Sequence, residues 1–297
     1  MAIVEPRTSI RDAHATPIAE DEGPLREYTQ AALHCQRCRA QQCDASHPVR
    51  PALPTISVVL PAMNEEQNLP WVLGRVPAMV DEIILVDGHS RDNTVSLARR
   101  LLPKIRVVRQ PHTGKGDAVA AGLLEATGDV IIMMDLDGSM DPAEIPLFVG
   151  ALLAGADVAK GSRRITGGGS DDLTAARRLG NYALTKFANA VHRSRWSELC
   201  FGYAAFWRDS IDYLGVDELA SQPTRPPGRI WTGPGYGHGF EIEALLFCRA
   251  RRSKLRISEV SCHEYVRRNG SSNLVTVRDG LRVAIAILKE TRWHRSR

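Results

Sequence analysis

Residues 128–141 read GDVIIMMDLDGSMD, and this stretch decides the fold. Its segment 130–134 is entirely apolar, which predicts a strand buried on both faces. The strand ends at Asp135 and Asp137, with Asp141 four residues later. Ionised carboxylates are costly to bury alone, so carboxylates at the carboxyl end of a buried strand suggest a cation. Asp135 and Asp137 point the same way and can share one hard divalent ion. The alternative is an ordinary strand exit with two solvated aspartates.

The rest of the chain alternates short apolar runs with helical patterns. Strand-like runs occupy residues 56–60, 81–87, 105–109, 157–160, 201–207 and 255–260. Two helical patterns end near residues 76 and 102, and Ser90 and Asp92 are the expected N-caps of the helix that ends near 102. Four further helical patterns span residues 114–128, 142–153, 174–193 and 274–293. This alternation predicts an α/β fold of βαβ units, with a mostly parallel central sheet flanked by helices.

Composition excludes several classes of protein. The 297 residues are 43% hydrophobic and 24% charged, which is typical of a globular chain with a large core. The formal net charge of +4 is too mild to argue for nucleic acid. No run approaches the roughly 20 apolar residues that span a bilayer. Six cysteines do not make a disulfide framework in a chain of this length. We therefore expect a cytoplasmic protein, either free or in contact with the inner face of the membrane.

Residues 1–54 differ from the rest, because prolines, charges and alanines dominate and no apolar period is sustained. This composition predicts a flexible tail. Four potential soft ligands lie within it, separated by two, four and three residues: Cys35, Cys38, Cys43 and His47. A set this compact can hold a structural Zn²⁺. The spacing matches no specific zinc motif, and free thiols are the alternative.

Polar residues follow the first two predicted strands and open the third helix. The chain has neither GxGxxG after the first strand nor GxxxxGK[ST], so a nucleotide would be held by other groups. Asp87 can accept hydrogen bonds from a base or from ribose hydroxyls, and Lys115 can meet a base carbonyl or a phosphate. A helix cap at Asp92 and a solvated Lys115 are the local alternatives. The candidates at these positions are Pro61, Asn64, Glu66, Asp87, Asp92 and Lys115.

Later loops carry basic residues and a predicted lid. Arg163 and Arg164 lie in GSRRITGGGS, and guanidinium groups suit oxyanions; a charged surface turn is the alternative. Residues 222–239 hold too much proline and glycine for regular structure, which predicts a lid or a mobile loop. Glu241 and Glu243 then open a helix.

The last predicted helix is basic and amphipathic. Its apolar stripe consists of Leu274, Val277, Leu281, Ile285 and Leu288. Basic residues lie mostly off this stripe, as in helices that rest on anionic membranes. Packing of the stripe against its own domain is the alternative.

In order, these segments resemble the family 2 glycosyltransferases, which have the GT-A nucleotide-sugar fold, and most of all the dolichol- and polyprenyl-phosphate sugar synthases. The likeness runs from about residue 54 to residue 274. It rests on SVVLPAMNEEQNLP, EIILVDGHSRDNT, GKGDAVAAG, GDVIIMMDLDGSMDPAEIP, AKGSRRITGGGS, RRLGNYALTKFANAV, FGYAAFW, GFEIEALLFCRA and EVSCHEYVRRNGSSNL.

The resemblance implies roles for single residues. Asp135 and Asp137 would hold Mg²⁺ or Mn²⁺ against the donor diphosphate, with Asp137 taking part in catalysis. Arg163 and Arg267 would contact the donor diphosphate or an acceptor phosphate, and Arg267 would also be catalytic. The nucleoside pocket would be lined by Pro61, Asn64, Glu66 and Asp87, with Lys115 at its edge. Two positions depart from the family pattern: Gly88 replaces a second aspartate, and Asn273 replaces a frequent lysine.

The segments LPAMNEE, GKGD and GPGYGHGFEI also resemble glucosyl-3-phosphoglycerate synthases. In those enzymes a histidine after the last core strand completes the metal site, and His263 lies where such a residue would be. A neutral imidazole is a reasonable third ligand. A loop histidine with only a hydrogen-bonding role is the alternative.

We expect a metal-dependent glycosyltransferase that moves a sugar from a UDP- or GDP-sugar to a phosphate-bearing acceptor, above all polyprenyl phosphate. A hydroxyl acceptor of the glucosyl-3-phosphoglycerate synthase type would need a base, for which Glu241 and Glu243 are the candidates. A catalytically silent nucleotide-sugar-binding protein is the other alternative, and no nucleic-acid partner is expected. The predicted domains are the tail 1–54, the catalytic domain 55–273 with halves 55–137 and 138–273, and the C-terminal helix 274–297.

Overall fold

The computed structural model describes residues 50–221, 236–270 and 275–294. Several predictions fall outside these ranges. They concern the zinc ligands of the tail, most of the predicted lid, and two residues before the last helix: Cys35, Cys38, Cys43, His47, residues 222–235, Asn273 and Leu274.

A seven-stranded sheet forms the centre of the molecule, in the order β3-β2-β1-β4-β7-β5-β8. All neighbouring strands are parallel except at β7, which runs antiparallel to both β4 and β5. A mostly parallel sheet of this kind was predicted from the alternation of strands and helices. The strands are β1 Ile56–Ala62, β2 Glu82–Asp87, β3 Arg106–Arg109, β4 Val130–Met133, β5 Val158–Ser162, β7 Ala204–Trp207 and β8 Ile257–Ser261, and β6 Gly169–Ser170 pairs separately with β9 His263–Glu264.

Helices cover both faces of the sheet, and the side chains of each central strand alternate between two cores. Val59 of β1 packs in one core, whereas Val58 and Leu60 pack in the other. All three are fully buried, as expected for a strand covered on both faces. The helices are α1 Leu69–Leu73, α2 Thr94–Leu101, α3 Lys115–Glu125, α4 Ile145–Leu153, α5 Ala175–His192, α6 Arg208–Ile211, α7 Val216–Ala220, α8 Ile242–Arg252 and α9 Thr276–Lys289.

Two helix boundaries differ from the prediction. Helix α1 ends at Leu73 rather than near Val76, because Gly74, a poor helix former, follows it as the C-cap residue, and Pro77 disfavours helical backbone at Val76. Helix α2 has Asn93 at its N-cap position, rather than the predicted Ser90 or Asp92. The side chains of Ser90 and Asp92 accept hydrogen bonds from the backbone N–H groups of Asn64 and Glu66, respectively, and so support the loop after β1. Asp92 Oδ1 also accepts a hydrogen bond from the backbone N–H of Thr94, the first residue of α2.

Helix α9 packs on the domain through a face other than the predicted apolar stripe. Its buried apolar residues are Val283, Ala286 and Ile287. The stripe itself faces outward, and Val277, Leu281 and Leu288 remain 74%, 50% and 53% exposed. Among the described residues, no helix is both long enough and apolar enough to cross a bilayer.

Glu82 holds the amino end of the sheet together, and we expect it to make stability depend on pH. Burial alone would raise the pKa of its carboxyl, but hydrogen bonds from Ser57, Thr127 and Arg106 outweigh burial and lower that pKa from 4.5 to about 2. A carboxyl with a lowered pKa stabilises the folded state above its unfolded pKa, and this contribution is lost as the pH falls toward the folded pKa.

The free energy of unfolding should therefore decrease between about pH 4.5 and pH 2, and Glu82→Gln should weaken that dependence. Urea unfolding at a series of pH values measures the effect. Glu125→Gln is the matched control, because Glu125 also pairs with Arg106 but is 52% exposed. Equal pH dependence in the wild type and in Glu82→Gln would contradict this assignment.

Candidate functional site

The predicted strand-end residues meet at one edge of the sheet. Strands β1, β2 and β4 are parallel neighbours, so their carboxyl ends lie side by side. Asp87 is the last residue of β2, and the loops that leave β1 and β4 carry Asn64 and Asp135, respectively. Ligands of open α/β sheets bind in the crevice outside such an edge.

Lys115 connects two carboxylates at this edge. Its ammonium lies 2.8 Å from Asp135 Oδ1 and 2.6 Å from Glu243 Oε1. Burial disfavours the charged form, but the two carboxylates outweigh burial and raise the pKa of Lys115 above its ordinary value. Lys115 is therefore a fixed positive charge between the end of β4 and the start of α8.

Asp137 forms a second pair of opposite charges beside the first. Its Oδ2 lies 2.7 Å from Arg267 Nη2, while its Oδ1 accepts hydrogen bonds from the backbone N–H and the hydroxyl of Ser139. Asp137 is 6% exposed, so its orientation is well defined. Glu65 lies 3.9 Å from Arg267, and burial raises the pKa of its carboxyl.

The donor atoms around Asp135 and Asp137 fit a hard divalent cation. Both side chains offer carboxylate oxygens, which Mg²⁺ and Mn²⁺ prefer, and both line the same two cavities. Each carboxylate is balanced by one cationic side chain, Lys115 or Arg267.

One cavity, of about 520 Å³, lies over the edge of β1 and β2. Of the predicted nucleoside-binding residues, Pro61, Asn64 and Lys115 line it. Glu66 turns away and accepts hydrogen bonds from Asn93, and Asp87 accepts one from the backbone N–H of Ser90. The structure does not bring these two carboxylates into the cavity lining.

Gly88 lines the same cavity and has a steric reason to be glycine. A Cβ there would lie 3.1 Å from the carbonyl oxygen of Ala62, 3.2 Å from Gln110 Oε1 and 3.3 Å from Met63 Cβ. These distances are tighter than ordinary van der Waals contacts, so the glycine lets the loops after β1, β2 and β3 approach one another. The departure from the family's second aspartate thus fits the local packing.

A second cavity, of about 470 Å³, opens between helices α5 and α9. It shares a wall with the first, because Lys115, Asp135, Asp137 and Arg267 line both. Away from this wall its lining is mainly apolar and includes Leu173, Gly180, Leu184, Val277, Gly280 and Leu281. The charged pairs therefore lie at the junction of the two cavities.

Arg163 lines the second cavity but is held by protein groups. Its guanidinium pairs with Glu198 and with Glu264, the latter at 2.7 Å, and donates to the carbonyl oxygen of Cys200 at 3.0 Å. These partners fix the loop after β5. The predicted contact of Arg163 with a phosphate stays a prediction, and it would require at least one of these bonds to be exchanged.

Glu241 and Glu243, which the sequence did not distinguish, have different surroundings. Glu241 is 1% exposed, pairs with Arg282 and accepts a hydrogen bond from the backbone N–H of Gly237, so it anchors α9 to the start of α8. Glu243 lines the second cavity beside Lys115. Of the two, only Glu243 is placed to meet a ligand.

His263 does not come together with Asp135 and Asp137 in this structure. Its Nε2 lies 2.9 Å from Asp171 Oδ2, and its backbone N–H donates to Glu144. It lines neither of the two cavities that contain the strand-end carboxylates. The side chain thus has the hydrogen-bonding role that was the alternative, and a role as metal ligand stays a prediction.

Several residues that line the first cavity were not anticipated, among them Glu65, Gln110 and Phe240. Glu65 lies between the predicted Asn64 and Glu66, but alternation along a strand does not apply in a turn, where Asn64 has φ 59°. Gln110 follows β3 directly, so the strand-end argument applied to β3 would have identified it. No comparable sequence pattern would have identified Phe240 as a cavity residue.

Comparisons with known proteins agree with this arrangement. An uncharacterized glycosyltransferase of Mycobacterium tuberculosis is 42% identical over 113 residues, which are 38% of this chain and 50% of the relative, so the chain spans about half of that relative's length. The undecaprenyl-phosphate mannosyltransferase of Micrococcus luteus is 29% identical over 247 residues, covering 80% of this chain and 93% of the relative.

Among solved structures, glucosyl-3-phosphoglycerate synthase from Mycobacterium tuberculosis, in complex with Mn²⁺, UDP-glucose and phosphoglyceric acid, superposes with a TM-score of 0.58. It is 25% identical, and the match covers 85% of this chain and 88% of that one. The family model described as glycosyl transferase family 2 matches residues 57–215. These matches confirm the predicted resemblance and fold class, and the chain belongs to glycosyl transferase family 2.

Proposed function

We propose that the chain transfers a sugar from a nucleoside diphosphate sugar to a polyprenyl phosphate. The observation that carries this proposal is the second cavity. It begins at the charged pairs, where a phosphate can be held, and continues between α5 and α9, where its lining is mainly apolar but also includes Arg177, Asn181 and Asp279. An acceptor with an anionic head and a hydrocarbon chain matches both ends.

The first cavity is the proposed donor site. A family 2 domain, a relative named for mannosyl transfer to undecaprenyl phosphate, and a fold neighbour solved with Mn²⁺ and UDP-glucose all support this proposal. Asp135 and Asp137 would hold the divalent cation, which neutralises negative charge on the departing diphosphate.

Cationic side chains of the chain itself would stabilise the phosphate groups. Lys115 and Arg267 stand at the junction of the cavities, and each is paired with a carboxylate. These two side chains are the cationic groups that would face the phosphate oxygens of donor and acceptor and stabilise the charge that develops there. The acceptor oxygen bonds to the anomeric carbon, the bond from that carbon to the diphosphate oxygen breaks, and the diphosphate keeps the electron pair.

The acceptor determines whether a base is needed. A polyprenyl phosphate oxygen is already anionic, so direct displacement requires no proton transfer. A hydroxyl acceptor would require a base, and Glu243 is the carboxylate placed for it. Glu243→Gln should therefore have little effect on the rate of sugar transfer to a lipid phosphate. It should greatly slow sugar transfer to a hydroxyl acceptor.

Release of nucleoside diphosphate from a panel of UDP- and GDP-sugars tests the proposal. Each donor is incubated with Mn²⁺ or EDTA, with or without polyprenyl phosphate in detergent. We expect turnover of one donor that is lost in EDTA and increased by the lipid. Full activity on a soluble phosphorylated acceptor in lipid-free buffer would contradict the lipid acceptor, and absence of both turnover and donor binding would contradict the enzyme.

The exposed stripe of α9 predicts contact with a membrane. Burying one leucine side chain contributes about 1.5–3 kcal/mol, so replacing Leu281 and Leu288 by serine should weaken binding to anionic vesicles by roughly a hundredfold or more. Vesicle sedimentation measures this binding. Leu101→Ser and Leu124→Ser together form the control, because both leucines are similarly exposed on other helices. Equal loss of binding in the two double variants would contradict an oriented contact.

A further inference from the structure

Two histidines and an aspartate form a compact cluster on the side of the donor cavity. Ligand atoms of His112, Asp117 and His238 all lie within 4.8 Å of one another. The two imidazole rings stack with centroids 5.4 Å apart. Asp117 and His238 are each 1% exposed. The cluster joins the loop between β3 and α3 to the segment that precedes α8.

The hydrogen bonds of the cluster determine which ring nitrogens carry protons. His112 Nδ1 lies 2.9 Å from Asp117 Oδ1, and an ionised carboxylate only accepts, so Nδ1 is the donor. His238 Nε2 lies 3.0 Å from the carbonyl oxygen of Leu219, so Nε2 is the donor there. In the neutral rings, His112 Nε2 and His238 Nδ1 therefore keep bare lone pairs. His238 Nδ1 is buried without a hydrogen-bond partner.

A buried acceptor without a donor is costly, and it requires an explanation. The arrangement has the features of a histidine metal site, in which each imidazole donates its second N–H to a carboxylate or a backbone carbonyl. Imidazole nitrogens suit zinc and other late transition metals rather than Mg²⁺. We propose that His112 Nε2 and His238 Nδ1 bind a divalent transition metal of the zinc class, with Asp117 orienting His112.

This site would act as a clamp and would take no part in the reaction. His112 is followed by Thr113, Gly114 and Lys115, which line the donor cavity, and His238 is followed by Gly239 and Phe240, which line it from the other side. The two segments already touch, since the backbone N–H of Gly116 donates to the carbonyl oxygen of His238 at 2.9 Å. A metal between the two histidines would hold both walls of the cavity in place.

Zinc binding to the full chain tests the proposal. Cys35, Cys38 and Cys43 are replaced by serine to silence the tail, and excess Mg²⁺ occupies the carboxylate site. We expect one Zn²⁺ per chain by equilibrium dialysis and a higher melting temperature with Zn²⁺. His112→Asn and His238→Gln retain an amide donor near Nδ1 and near Nε2, respectively, and remove only the bare nitrogen. Each should abolish the binding and the shift in melting temperature.

His294→Ala is the matched control, because His294 is an exposed histidine near the end of the chain and should bind zinc as the parent does. The proposal is overturned if the parent chain binds no zinc. It is also overturned if His112→Asn and His238→Gln, shown to be folded by circular dichroism, bind zinc as tightly as the parent. Because dialysis and melting do not depend on turnover, failure of this proposal is separable from failure of the proposed function.

Discussion

Asp137→Asn should reduce the rate of sugar transfer by roughly a thousandfold or more. The substitution keeps the size of the side chain and its bond with Ser139, but it removes the buried charge that balances Arg267. A divalent cation would lose one of two carboxylate ligands, and preorganised charge at the reacting group is typically worth 10²–10³ or more in rate. Initial rates of nucleoside diphosphate release at saturating donor measure the effect.

Asp217→Asn is the control for this variant, because Asp217 is exposed on α7, away from both cavities. It should leave the rate unchanged. Asp137→Asn should remain folded, because Arg267 is 25% exposed and can be solvated when its partner is removed. A folded Asp137→Asn variant with more than a tenth of the wild-type rate would contradict the role of Asp137.

Lys115→Met should affect both stability and activity. Lys115 separates the carboxylates of Asp135 and Glu243, and its side chain is only 14% exposed. Without the ammonium, two carboxylates face each other with no compensating charge. Removing one partner of a buried ion pair typically costs about 3–5 kcal/mol, so the free energy of unfolding at neutral pH should fall by about that amount. Urea unfolding measures this change.

A double variant separates the two effects. Adding Glu243→Gln to Lys115→Met removes one of the uncompensated carboxylates, so most of the lost stability should return. Activity should not return, because the ammonium of Lys115 is still missing and Arg267 alone remains as a cationic side chain at the junction of the cavities. Recovery of activity together with stability would show that Lys115 acts only by holding the fold, and would contradict its role beside the phosphates.

The central part of the site could be predicted from sequence because one rule applied to several strands: residues that follow parallel neighbouring strands lie together at the carboxyl edge of the sheet. A wholly apolar strand that ends in Asp135 and Asp137 must place these carboxylates at the sheet edge, and the pairing of β1, β2 and β4 brings Pro61, Asn64 and Asp135 to that edge. The rule gives the position of a residue but not the direction of its side chain within a turn. Asp87 illustrates the difference, since it reaches the edge and then accepts a hydrogen bond from Ser90.

The roles of the remaining predicted site residues depend on the side chains that contact them in the folded structure. Glu241 and Glu243 are equivalent in sequence, but Arg282 engages the first and Lys115 the second. His263 follows β8 as expected, yet Asp171 from a distant loop accepts its ring N–H. Such long-range pairs leave no local signal in a single sequence.

Helix α9 shows a related limit. Its periodicity was identified correctly, but an apolar stripe does not specify what covers it. The helix buries Val283, Ala286 and Ile287 on the domain and leaves Val277 and Leu281 at the mouth of the second cavity. Only the structure distinguishes these two faces.

The most direct test of the account fills the second cavity and follows the lipid product. Gly280 lines this cavity, and a Cβ there would meet no atom within 4 Å, so Gly280→Leu should extend a side chain into the cavity with no clash at its Cβ and slightly favour the helix. We predict wild-type melting temperature and wild-type donor binding, but at least a tenfold loss of polyprenyl-phosphate-linked sugar detected by mass spectrometry. Undiminished formation of that product by Gly280→Leu would contradict the claim that the acceptor binds between α5 and α9.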